Sequence, residues 1–158
     1  MLRRLSTTPM RPSNLLVAQL LITLVATVVA TGLLVAVAHL VFGIPLPAHP
    51  LGFLAAIAAG TSAVFALGLV IAAVAPRART ATGAGTVLFL LVMFFAGVYL
   101  PKFLLPDVVL RIGEYVPPGV AALDDAWFGT GPQPLQLVAL AAIAVGATGV
   151  AVRLFRWE

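Results

Sequence analysis

Cysteine is absent from all 158 residues, which excludes a disulfide framework, thiolate metal sites and a cysteine nucleophile. Charge is nearly as scarce. Asp, Glu, Lys and Arg together make up 9% of the chain, against roughly a quarter in soluble domains. None of them falls in the middle of a long apolar block. The apolar interior therefore offers no paired carboxylates and no Ser-His arrangement with which to run hydrolysis. The phosphate loop G-x-x-x-x-G-K-[ST] is also missing, and ATP binding by that route with it. A membrane barrel needs segments of roughly ten residues alternating between apolar and polar positions, and no such pattern occurs. The basic residues form no continuous stripe with interleaved aromatics, which argues against nucleic acid as a partner.

What remains is hydrophobic residue, at 62% of the chain, with a mean hydropathy of +1.15. It falls into four uncharged blocks. Runs of about 18 or more such residues read as spanning helices, which satisfy their own backbone hydrogen bonds in lipid. We expect an all-α membrane protein with spans at about 15–42, 51–75, 84–100 and 135–154. Ser13 or Asn14 is the expected N-cap of the first, and Gly43, Pro45 and Pro47 end it. Pro76 closes the second, a short basic loop follows at 77–80, and Pro101 ends the third. The first apolar run exceeds the roughly 7–15 residues of a signal-peptide core, so it is expected to stay as a span.

The arginines set the expected orientation, because Lys and Arg concentrate in cytoplasmic loops near span ends. Arg3, Arg4, Arg11, Arg77, Arg79, Arg153 and Arg156 fall on one side of a four-span chain. Only Lys102 and Arg111 fall opposite, with Asp107, Glu114, Asp124 and Asp125. Both termini are then cytoplasmic. Eight of the nine basic residues are arginine and alanine is abundant, a composition associated with high-GC bacterial genomes.

Between 101 and 134 proline, glycine and charge forbid a span, yet the segment stays amphipathic. Asp107, Arg111 and Glu114 recur at i, i+4 and i+7, with Val108, Val109, Ile112 and Val116 opposite. Pro117, Pro118 and Gly119 break this helix, and a second is expected from about Val120, with Trp127 and Phe128 at the interface. Two short re-entrant or interfacial helices result. A covering loop and a gate both fit them.

Within the spans, Gln19, Thr23, Thr27 and Thr31 form a polar ridge on the first. Packing against protein suits it better than substrate contact, and threonines bonding back to i−4 carbonyls are the plainer alternative. Ala56, Gly60, Gly68 and Ala72 on the second span, and Ala142 with Gly146 on the fourth, form small-residue ridges suited to close helix approach. His39 and His49 have no second ligand type at metal spacing and read as interfacial. No metal or cofactor is expected.

The run Phe94-Phe95-Ala96-Gly97-Val98-Tyr99-Leu100-Pro101, then Leu105-Pro106, Glu114-Tyr115-Val116-Pro117-Pro118-Gly119 and Leu123-Asp124-Asp125-Ala126-Trp127, resembles the end of the membrane domain of type-2 ABC exporters. These are the permeases of bacterial drug, polysaccharide and teichoic-acid export. The segment Arg3 to Pro12 is similar to the family's cytoplasmic loop with its coupling helix. The resemblance implies a coupling-like segment at 1–13 and a transmembrane domain at 14–158. It implies docking on a separate ABC ATPase subunit through Arg3, Arg4, Pro9 and Arg11, and pairing with a second permease half. It implies an outer gate near Gly97, Pro101, Pro106, Pro117 and Pro118, a hydrophobic drug-like or lipid-linked cargo, and residence in the bacterial cytoplasmic membrane. The family's domain has six spans where this chain offers the last four; a fragment, a late start codon or a split permease would each account for that. A small structural or regulatory membrane subunit that transports nothing is the alternative function.

Overall fold

The computed structural model describes residues 12–97, 99 and 105–154. They form six α-helices: α1 (Pro12–Phe42), α2 (Pro50–Val74), α3 (Ala78–Phe95), α4 (Asp107–Gly113), α5 (Val120–Phe128) and α6 (Pro134–Leu154). The described residues contain no strand. Four helices are long and apolar enough to cross a membrane: α1 from Leu16, α2, α3 and α6. The protein is an all-α membrane protein in which α4 and α5 are the two short helices between the third and fourth spans.

Local chemistry sets each boundary. α1 is described from Pro12, a residue whose fixed φ and missing N–H suit the first turn of a helix. Ser13 and Asn14, expected as caps, lie inside that turn. At the other end Gly43 takes φ +66°; its N–H donates to His39 O at 3.0 Å and the Ile44 N–H to Ala38 O at 3.2 Å. This is an αL closure, in which the N–H of the left-handed residue returns to a carbonyl of the last turn, and it satisfies carbonyls that the helix end would otherwise leave unpaired. Ala75 is extended, with ψ 121°, as the residue before a proline must be, so α2 stops at Val74.

The third helix differs most from expectation. It starts at Ala78, inside the segment expected as a basic loop, with extended Arg77 as its N-cap. Thr82 and Thr86 return their hydroxyls to the carbonyls of Ala78 and Thr82 at 3.1 and 3.0 Å, which satisfies these hydroxyls within the helix without stabilising it. It ends at Phe95 rather than near 100, because Gly97 adopts φ +75° and its N–H turns back to Phe94 O at 3.1 Å.

The hub is α2, which touches α1, α3, α5 and α6, its longest seam being with α6. Small residues are buried on α2, namely Ala56, Gly60, Ala63 and Ala66, and Gln136, Leu140 and Ala151 are buried on α6. The small-residue ridges are used only in part. Gly68, Ala72, Ala142 and Gly146 are exposed, since residues 142 and 146 lie roughly 200–240° around the helix from Leu140 at about 100° per residue. α1 leans on α2, and many of its large apolar side chains are exposed.

Both α2 and α6 run from the end of the bundle that carries α4 and α5 towards the end that carries Arg77, Arg79 and Arg153. The hairpin end thus holds Asp107, Arg111, Glu114, Asp124 and Asp125, and the opposite end holds Arg77, Arg79 and Arg153.

Candidate functional site

At the hairpin end, α4 runs inward, the chain turns at Pro117, Pro118 and Gly119, and α5 returns. The turn is inserted between helices. Gly60 has no side chain, and the carbonyl group of Pro118 occupies the space a Cβ would need. Gly119, at φ +82°, is in turn covered by Leu140, whose Cδ1 lies 2.6 Å from where a Cβ would stand. Pro117 and Gly119 are both buried. Gly60 lies about 15 Å along α2 from Pro50, and Leu140 about 9 Å along α6 from Pro134, at roughly 1.5 Å per residue. Against a hydrocarbon core of about 30 Å, a turn at that depth is re-entrant.

Burying non-helical backbone there requires that its polar groups be matched. For the N–H groups the sequence does so by subtraction: Pro117 and Pro118 have none, and the Gly119 N–H donates to Val116 O at 3.1 Å. The Pro117–Pro118 bond is cis. α4 seats its Val109, Leu110 and Gly113 side on the bundle, with Gly113 close under the Phe95 carbonyl. Asp107, Arg111 and Glu114 are exposed together, and on the apolar side of the helix Val108 and Ile112 are 68% and 47% exposed.

The far end of α5 is fastened on two sides. The Ala48 and His49 N–H groups donate to the carbonyls of Trp127 and Ala126 at 3.2 and 3.0 Å, and Phe53 meets the Trp127 ring edge-on with centroids 5.3 Å apart. Trp127 Nε1 is buried there without a hydrogen bond. On the other side Gln136 Nε2 donates to Asp125 Oδ2 at 3.1 Å. Between α3, the hairpin and α6 lies a cavity of about 360 Å³ whose polar lining is Glu114, Asp124, Asp125, Gln133 and Gln136. No group of three His, Cys, Asp or Glu suited to a metal occurs among the described residues. Acceptor-rich and half apolar, this cavity suits water or a cationic group better than an anion.

Of the residues singled out from sequence, the structure gathers Pro117 and Pro118 at the inserted tip. Pro106 is the N-cap of α4, and Gly97 terminates α3. Arg3, Arg4, Pro9, Arg11 and Pro101 lie outside the described residues. On α1, Thr23, Thr27 and Thr31 are half-buried while Gln19 is exposed. Thr23 and Thr27 donate to the carbonyls of Gln19 and Thr23, each at 2.8 Å. His39 Nδ1 lies 2.8 Å from Ile44 O, and the His49 ring packs over Gly131. Sequence reasoning passed over Gly60 as the seat of the tip, and over Leu140, Asp125 and Gln136. A lone glutamine in the first turn of an apolar span was the available signal.

A family model described as ABC-2 type transporter matches residues 1–124, a stretch that includes the first three spans, α4 and the inserted tip. No curated protein and no solved structure matches the chain.

Proposed function

The chain belongs to the ABC-2 type transporter family, and from that premise we propose that it is the membrane-spanning permease component of an ATP-driven exporter, with the re-entrant hairpin as its outer gate. The observation that carries this reading is the tip seated against Gly60. Irregular backbone at membrane depth is tolerated where protein or a water-filled path surrounds it, and a tip held by close contact can leave its seat without breaking a helix. In the proposed cycle a separate ATPase subunit acts on the segment at 1–13 through Arg3, Arg4, Pro9 and Arg11, and closure of the nucleotide-binding pair is passed to the bundle. The path then opens outward, between this chain and a second permease half, as the tip withdraws.

Arg77, Arg79 and Arg153 at one end of the bundle support a cytoplasmic location for that end and for both termini, in a bacterial cytoplasmic membrane. A groove of about 350 Å³ between α1, α2 and α6, lined by Leu20, Phe65, Leu69 and Val145 with Ser62 and Thr148, supports a hydrophobic drug-like or lipid-linked cargo.

The test is to bridge cysteines at Pro118 and Leu140 with a short bifunctional thiol reagent, in the presence of the ATPase and partner spans. Export should stop while ATPase binding persists. Continued export in the fully bridged protein removes the gate. Absence of export from the unbridged protein favours the structural or regulatory subunit instead.

A further inference from the structure

Gln136 is the buried polar side chain among the described residues, 2% exposed on a helix that is otherwise apolar at this level. Burying an amide in such surroundings is unfavourable unless its donor and acceptor are matched. Both ends are used: Gln136 Oε1 accepts from the Gln133 N–H at 3.2 Å and Nε2 donates to Asp125 Oδ2 at 3.1 Å. Asp125 is itself a junction, because its backbone carbonyl accepts from the N–H groups of Gly129 and Gly131 at 3.0 and 3.1 Å. One residue of α5 thus ties, by side chain and main chain, both to α6 and to the loop that leads into it. The neighbouring carbonyls of Ala126 and Trp127 are held by the loop between α1 and α2. Directional bonds therefore converge on the C-terminal end of α5, while its N-terminal end, at the tip, is held by the shape of Gly60 and Leu140.

We propose that Gln136 is a positioning residue of the permease: its hydrogen bond to Asp125 fixes the C-terminal end of α5 as the pivot about which the Pro117-Pro118-Gly119 tip enters and leaves the Gly60 seat. The inference rests on the reading of the hairpin as a moving part. A pivot has to resist displacement along several directions at once, and hydrogen bonds of defined angle do so where apolar contact does not. A tip that must come and go is better held by contact alone. Gln136 touches no cargo in this scheme; it acts through Asp125.

The experiment reads seating of the hairpin directly, without cargo. Ala122, on α5 beside the tip, is 0% exposed, so Ala122→Cys in the cysteine-free chain reports seating by its rate of maleimide labelling in membrane vesicles. Gln136→Leu keeps the size and removes both hydrogen bonds, and labelling is expected to rise at least tenfold. The exchanged pair Asp125→Asn with Gln136→Glu keeps the net charge and restores both bonds: the new amide on α5 donates, and the new carboxylate on α6 accepts from it and from the Gln133 N–H. It should return to within about twofold of the parent. Parental labelling of Gln136→Leu, or an exchanged pair that labels as fast as Gln136→Leu, overturns the pivot and leaves Gln136 a packing residue. If Gln136→Leu is not recovered from the membrane, recovery of the exchanged pair supports the proposal and its loss counts against it. Export measured on the same variants stays separate: a protein whose hairpin seating follows the hydrogen bond but which never exports keeps the pivot and loses the permease reading.

Discussion

Gly60 and Gly68 sit on the same helix and have opposite surroundings. A Cβ on Gly60 would run into the backbone of Pro118, which cannot move as a flexible side chain can, whereas at Gly68 nothing lies within 4 Å. Gly60→Ala is therefore expected to destabilise the protein by about 1–3 kcal/mol, as overpacking does, and to unseat the hairpin. Gly68→Ala removes backbone freedom from an open helix position and should stabilise by about 0.5–1 kcal/mol. Thermal unfolding of the two variants in the same detergent checks both signs, and equal shifts would mean that the tip does not press on Gly60. On α1, Thr27 returns its hydroxyl bond to its own helix, so Thr27→Val should change stability by less than about 0.5 kcal/mol. A larger loss would show that the hydroxyl reaches another helix.

Among the elements, the hairpin makes the sharpest topological claim, since α4 and α5 begin and end on one side of the bundle. Cysteines placed at Val108 and at Phe128, both exposed, should label from the same face of an intact membrane, and one at Thr80 from the other. Labelling of Val108 and Phe128 from opposite faces would make the segment a span. The four long helices were legible in the sequence because excluding charge from a run of spanning length is a property of the run itself. Their ends were less so. α3 already runs through residues 78–83, ahead of the expected span, and Gly97 supplies the left-handed turn that stops it. The two short helices and the break at Pro117 and Pro118 were also legible, from helix-breaking residues between amphipathic stretches. Where that break goes was not, because its seat is a glycine on α2 and a leucine on α6, far from it in sequence. The Asp125–Gln136 bond was hidden although only 11 residues separate its partners, because they sit on different helices and spacing alone does not say which phase of a helix meets its neighbour.

For the molecule as a whole, the arginines at 1–13 are the proposed handle of the ATPase. Replacing Arg3 and Arg4 with glutamate should reduce co-purification with that subunit at least fivefold while membrane insertion, followed by labelling at Thr80, stays unchanged. Unaltered binding would return these residues to a purely topological part. The seat of the tip also has a history on the ribosome. α2 is made before the hairpin and α6 after it, so at about 5–20 residues per second the roughly twenty residues separating Gly119 from Leu140 take roughly one to four seconds to synthesise. During that interval Pro118 has Gly60 to meet, but Gly119 has no Leu140 over it and Asp125 has no Gln136. A nascent chain stalled before residue 134 should accordingly leave Ala122→Cys open to maleimide, and one stalled well beyond residue 154 should protect it. The hairpin then waits at the membrane surface for the last helix, and the translocation machinery must release α6 beside α2 before the segment made ahead of it can sink into place.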